Sequence, residues 1–145
     1  PEPLNIDPDK AEITESTKFS TLEETVQHVN LPVIYLKDSG DLKLSSISAD
    51  VILDEKPVLS IIYCNSNDNI TILIYAHDST NAISSSFATN YRIVSSNVGD
   101  VFVCESEDGA NAYLFYDDYS IRINTSLDLS TFCTVLQSLA LFKLS

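Results

Sequence analysis

Twenty-one acidic side chains, spread along this 145-residue chain, are the first groups that could do chemistry. Glu105, Glu107 and Asp108 lie close together, Asp117 adjoins Asp118, and Asp68 sits in an Asn-rich loop. Two carboxylates held across a cleft in different environments could serve as the acid and base of glycoside hydrolysis, and alternating oxygen ligands around a glycine could hold calcium. These acids fall where hairpins are expected to turn, and the stretch 105–109 lacks the spacing of a calcium loop. Turn residues in contact with water account for them. His28 and His77 lie apart from the cysteines and leave little material for a catalytic triad, and there is no G-x-S-x-G elbow. Gly40, Gly99 and Gly109 are isolated, which excludes a phosphate-cradling loop. Cys64, Cys104 and Cys133 show no C-x-x-C spacing, so no zinc site is expected. They read as small buried hydrophobes or as one disulfide with one thiol left over, and the sequence does not separate these. No catalytic residue, metal or cofactor is assigned.

The tyrosines remain. Tyr63, Tyr75, Tyr91, Tyr113, Tyr116 and Tyr119 sit in or beside apolar runs. A sheet face left uncovered by helices could present some of them as a binding surface, while the core with hydroxyls at its rim is the alternative. Tyr113, Tyr116 and Tyr119, with Arg122, are the candidate binding residues.

Charge narrows the partner classes. Eight basic against twenty-one acidic residues give a net charge of −13, spread along the chain. Nucleic acid would be repelled, and no basic run is present to release its counterions. An anionic membrane surface is disfavoured for the same reason. No apolar run approaches the ~18–20 residues that span a bilayer, so the chain as given reads as soluble. Its first residue is not Met, and a leader or anchor upstream of Pro1 would not be visible. The expected partner is a protein or a small ligand, met by a monomer.

The elements that would position these residues begin after a lead-in. Residues 1–18 carry three prolines and five acids without periodicity, which is linker chemistry, and leave 19–145 as one domain. Ser20 and Thr21, each with Glu three residues on, predict a helix start, and Leu22, Val26 and Val29 form its stripe. Asn30-Leu31-Pro32 ends it. Between 42 and 53 the apolar parity changes, the trace of a bulge near Ser45-Ser46. The runs 58–63 and 70–77 are β-branched and aromatic on both parities, a hairpin from the middle of a sheet. Residues 78–90 read as a long connection. Strands follow at 91–95 and 100–105, then a hairpin around Asp108-Gly109, and residues 119–124 alternate as a strand with one wet face. Leu129, Phe132, Cys133, Leu136, Leu139 and Ala140 predict a helix through 129–142 with Asp128 as N-cap. Short reversals imply an antiparallel meander. The expected fold is α+β, a curved antiparallel sheet of six or seven strands with N- and C-terminal helices packed on one face.

Several stretches resemble a bacterial extracytoplasmic domain of unknown function found on lipoproteins and anti-sigma-factor-like membrane proteins. They are Thr21-Leu22-Glu23-Glu24, Leu31-Pro32-Val33, Gly99-Asp100-Val101-Phe102-Val103, Ala112-Tyr113-Leu114-Phe115, Tyr119-Ser120-Ile121 and Leu136-Gln137-Ser138-Leu139. That domain often carries a Trp in the strand after the Asp-Gly hairpin, where this chain has Leu114-Phe115. The resemblance implies an extracytoplasmic module, tethered to the membrane through an acidic linker, with no catalytic residues to carry over. It favours a non-catalytic sensing or binding domain over a small carboxylate-dependent hydrolase or a carrier of an apolar ligand between sheet and helices.

Overall fold

The computed structural model describes residues 13–52, 57–76 and 91–144. In chain order the elements are β1 (Ile13–Phe19), α1 (Leu22–His28), β2 (Ile34–Leu36), β3 (Lys43–Ile52), β4 (Val58–Cys64) and β5 (Asn69–Ala76). They continue with β6 (Arg92–Ser96), β7 (Gly99–Ser106), β8 (Gly109–Tyr116), β9 (Tyr119–Thr125), α2 (Leu129–Leu136) and β10 (Leu139–Leu141). Eight strands form one antiparallel sheet in the order β1-β3-β4-β5-β9-β8-β7-β6, and β10 pairs with β2 in a second, two-stranded sheet. The fold is α+β, but its main sheet has eight strands where six or seven were expected.

Local chemistry explains most of the elements. Thr21 caps α1 by accepting a 3.1 Å hydrogen bond from the Glu24 amide, one half of a capping box. Asn65 closes the β4–β5 hairpin, its Oδ1 accepting from the Asn67 and Asp68 amides at 2.8 and 2.7 Å, an Asx turn that replaces backbone bonds. The register of β3 against β4 shifts between Leu44 and Ser46, at the change of apolar parity. Asp117 takes a positive φ of 51° in the β8–β9 reversal, a conformation Asp tolerates because its short side chain bonds locally.

Three expectations need correction. Residues 13–18 belong to β1, paired with β3, and not to the linker: the alternating residues of this segment find a ladder only once β3 is in place. The predicted C-terminal helix stops at Leu136, and Leu139–Leu141 runs as β10. The Ser138 amide turns back onto the Val135 carbonyl, and Ser138 Oγ bonds the Asp38 carbonyl at 2.9 Å, so the chain leaves the helix for the β2 edge. Third, the meander is broken. β3-β4-β5 and β6-β7-β8-β9 are each continuous, but β5 pairs with β9, and β6 lies at the far edge of the sheet. The long connection expected over residues 78–90, and His77, lie outside the described residues.

The core lies on the first face of the sheet. Ile47, Leu59, Ile61, Ile70, Ile72, Ile74, Val101, Val103, Ala112, Leu114, Ile121 and Ile123 belong to one buried cluster. Phe132, Val135 and Leu136 of α2 and Leu139 of β10 are buried in that same cluster, and Leu22 and Val26 of α1 pack against it. Burial of a side chain such as Leu136 contributes about 1.5–3 kcal/mol. Tyr63 points its hydroxyl out of this core to accept a 3.0 Å bond from the Leu36 amide, which ties the small sheet to the large one.

Candidate functional site

Alternation along the strands sends the other half of the side chains to a second face. Across it, cross-strand pairing aligns Ser60, Leu73, Arg122, Tyr113, Phe102 and Ile93 in one row from β4 to β6. A parallel row sets Ser120 opposite Tyr75 on one side and Phe115 on the other. Exposure runs from buried to open along this face: Tyr75 is 3% exposed, Tyr113 7%, Phe115 45% and Ile93 56%. β9 was expected to have a wet face, and Arg122 is exposed there, yet Ser120 between its aromatic neighbours is buried.

The four candidate residues divide between the two faces. Tyr113 and Arg122 are direct cross-strand partners on the second face, where the guanidinium carbon lies 5.7 Å from the ring centroid, within cation–π range. Tyr116 and Tyr119 also pair with each other, but across the tight reversal and on the first face, where both pack against the core. The Tyr119 hydroxyl donates a 3.4 Å bond to the Asn30 carbonyl. Period two explains the division: Tyr113 is odd in register against Leu114 and Tyr116, as Arg122 is against Ile121 and Tyr119.

Tyr75 joins the first pair. It is buried, its hydroxyl has no hydrogen-bond partner, and it lies diagonal to Arg122 across the β5–β9 pairing. Burial pushes the Tyr75 phenol above the usual tyrosine range, the nearby Arg122 guanidinium opposes this, and Tyr113 adds to it. Among the described residues no carboxylate pairs with Arg122. The arrangement therefore sets a guanidinium with no carboxylate partner, an aromatic ring that supports it and a phenol beside an apolar row. It can hold an anionic or polar group, and it offers no nucleophile with an adjacent base. The strand pattern placed Tyr75 in a sheet, but its proximity to Arg122 arises from the long-range β5–β9 pairing, for which the sequence carries no local signal.

The remaining candidates fall elsewhere. Glu105, Glu107, Asp108, Asp117 and Asp118 are exposed at hairpin ends. Asp68 accepts a 2.9 Å bond from Ser126 Oγ, a structural clasp between the β4–β5 turn and the end of β9. His28 lies at the end of α1 with its ring 5.9 Å from that of Phe19. Cys64, Cys104 and Cys133 are each partly buried and unbonded to one another, and burial pushes the Cys104 thiol up. Among the described residues no group of three His, Cys, Asp or Glu side chains is placed to hold a metal ion. A cleft of about 370 Å³ lies between α2 and the turn before β3, lined by Asp38, Gly40, Ser130, Thr131, Thr134 and Val135. Comparison with protein-family models, with curated proteins and with solved structures finds no match for this chain.

Proposed function

We propose that this is a non-catalytic binding domain, the sensing or ligand-binding part of a membrane-tethered, extracytoplasmic bacterial protein, and that it binds through the second face of its sheet around Tyr113 and Arg122. In this reading the sheet curves around the face that both helices cover, and a partner meets the open part of the other face, where Arg122, Phe115 and Ile93 are exposed. The observation that carries the reading is the Arg122 guanidinium, stacked on Tyr113 without a carboxylate partner among the described residues and flanked by a buried phenol that has no hydrogen-bond partner. Chains keep few such groups unless something else uses them. The extracytoplasmic, tethered placement rests on the sequence resemblance alone. Among the described residues no helix is long and apolar enough to cross a membrane, and in this reading the tether lies upstream of the domain.

Two other functions have weaker support. A carboxylate hydrolase needs two acids facing across a cleft, whereas the clustered acids here stand exposed at turns. A carrier needs room between sheet and helices, and Phe132, Leu136 and Leu139 are packed there with 0% exposure. The test is a screen of chemically mixed small fragments by ¹H–¹⁵N spectroscopy, with a parallel turnover assay on chromogenic esters and glycosides. Binding predicts amide shifts gathered on β5, β9 and β8 around Tyr75, Arg122 and Tyr113, and no turnover. Turnover lost on neutralising a turn acid would overturn the reading. Placement is tested by protease treatment of intact cells, which must degrade the domain.

A further inference from the structure

Two groups on the second face carry chemistry that the fold does not use. Arg122 is exposed at mid-strand, and among the described residues no acid pairs with it, in a chain that carries twenty-one. Tyr75, diagonal to it on the neighbouring strand, is 3% exposed and buries a hydroxyl that no group satisfies. Such a hydroxyl gives up its bonds to water without replacement. The phenol and the guanidinium are close enough for the charge of Arg122 to act on Tyr75.

We infer that Arg122 and Tyr75 form the head-group site for a monocarboxylate with an apolar body. This rests on the reading of the second face as the binding surface. A guanidinium offers a planar fork of N–H donors that matches both oxygens of a carboxylate, and a phenol O–H supplies a further donor. The Tyr113 ring, 5.7 Å from the guanidinium carbon, holds the fork in place. A dianion such as a phosphate ester would meet twice the repulsion from a chain of net charge −13, with one guanidinium to offset it. The apolar body follows from the row in which Arg122 stands. Leu73 faces it on β5, and Tyr113, Phe102 and Ile93 continue the row to the sheet edge, three strand spacings or about 14 Å away. Tyr75 is 3% exposed, so in this proposal its hydroxyl opens toward the carboxylate when the ligand binds.

The test titrates the full chain with sodium octanoate, and with octan-1-ol as a control of the same body without the charge, followed by ¹H–¹⁵N spectra. Octanoate is expected to move amides near Leu73, Tyr75, Ser120, Arg122 and Tyr113, and to bind about tenfold more tightly than the alcohol, the worth of a charge-assisted bond. Arg122→Gln is expected to erase that preference. Tyr75→Phe is expected to weaken octanoate about fivefold to tenfold while leaving the urea midpoint unchanged or higher, since its hydroxyl has no partner to lose. Equal binding of acid and alcohol, or an unchanged preference in Arg122→Gln, would overturn the carboxylate site while leaving the face as a binding surface. Shifts confined to other parts of the chain, with either compound, would overturn both.

Discussion

Replacing Gly109 with Ala tests the geometry that places Tyr113 opposite Arg122. Gly109 opens β8 with φ 151°, and a Cβ there would collide with the Thr125 carbonyl oxygen and lie 2.9 Å from Ser126 Cα. Those are backbone atoms at the end of β9, so no side chain can swing aside. Thr125 and Ser126 are fixed in turn: Thr125 Oγ1 donates to the Asn69 carbonyl at 2.8 Å, the Asn69 amide donates to Ser126 Oγ at 3.0 Å, and Ser126 Oγ donates to Asp68 at 2.9 Å. The backbone conformation alone costs about 1–3 kcal/mol, and losing two of these bonds adds about 1 kcal/mol each. Gly109→Ala should therefore cost about 3–5 kcal/mol, a large part of the ~5–15 kcal/mol of a typical domain. Gly40→Ala is the control. Its φ is 65°, with nothing within 4 Å of the added carbon, so its cost should be about 1–2 kcal/mol. Urea denaturation of both variants, with the slope checked for constancy, measures the difference. Equal costs would refute the claim that close backbone approach at the β8–β9 junction sets this register.

Further outcomes follow from single contacts. Tyr63→Phe leaves the buried Leu36 amide without its acceptor and should lower stability by about 1–3 kcal/mol in urea denaturation. Thr21→Ala should cost about 0.5–2 kcal/mol, whereas Asp128→Ala should change little, because Asp128 occupies an N-cap position without making a side-chain cap bond; thermal melts of the two variants compare them. Stability should also fall in alkali. Burial raises the phenols of Tyr63 and Tyr75, so above pH ~10 the unfolded chain ionises them first and binds fewer protons than the folded chain. Their contribution is fully present below pH ~10 and is lost as pH climbs through the raised folded values. Urea midpoints measured from pH 8 upward should decline more gently in the Tyr63→Phe/Tyr75→Phe double variant.

What the sequence carried was local. The Asn-rich turn, the Thr21 cap, the parity change at Ser45-Ser46 and the Asp108-Gly109 reversal each depend on a few adjacent side chains, and each appears in the structure. Long-range pairing was not legible. Leu139 and Ala140 fit a helical stripe as well as a strand, and only the free edge of β2 decides between them. Residues 13–18 look like linker until β3 offers them a ladder. The same limit applies to the candidate site. Alternation alone separates Tyr113 and Arg122 from Tyr116 and Tyr119, once β8 and β9 are recognised as partners. Tyr75 reaches Arg122 because β5 meets β9 across the break in the meander, and no property of residues 69–76 announces that neighbour.

The central claim, that the second face around Arg122 and Tyr113 is the binding surface, is tested most directly by mapping ligand-induced amide shifts in the native chain and in an Arg122→Gln/Tyr113→Ala variant. A Ser130→Val/Thr134→Val variant of the α2 cleft serves as the comparison. Shifts centred on β5, β9 and β8, lost in the first variant and kept in the second, are the predicted result. Shifts centred on the α2 cleft, insensitive to Arg122 and Tyr113, would contradict it.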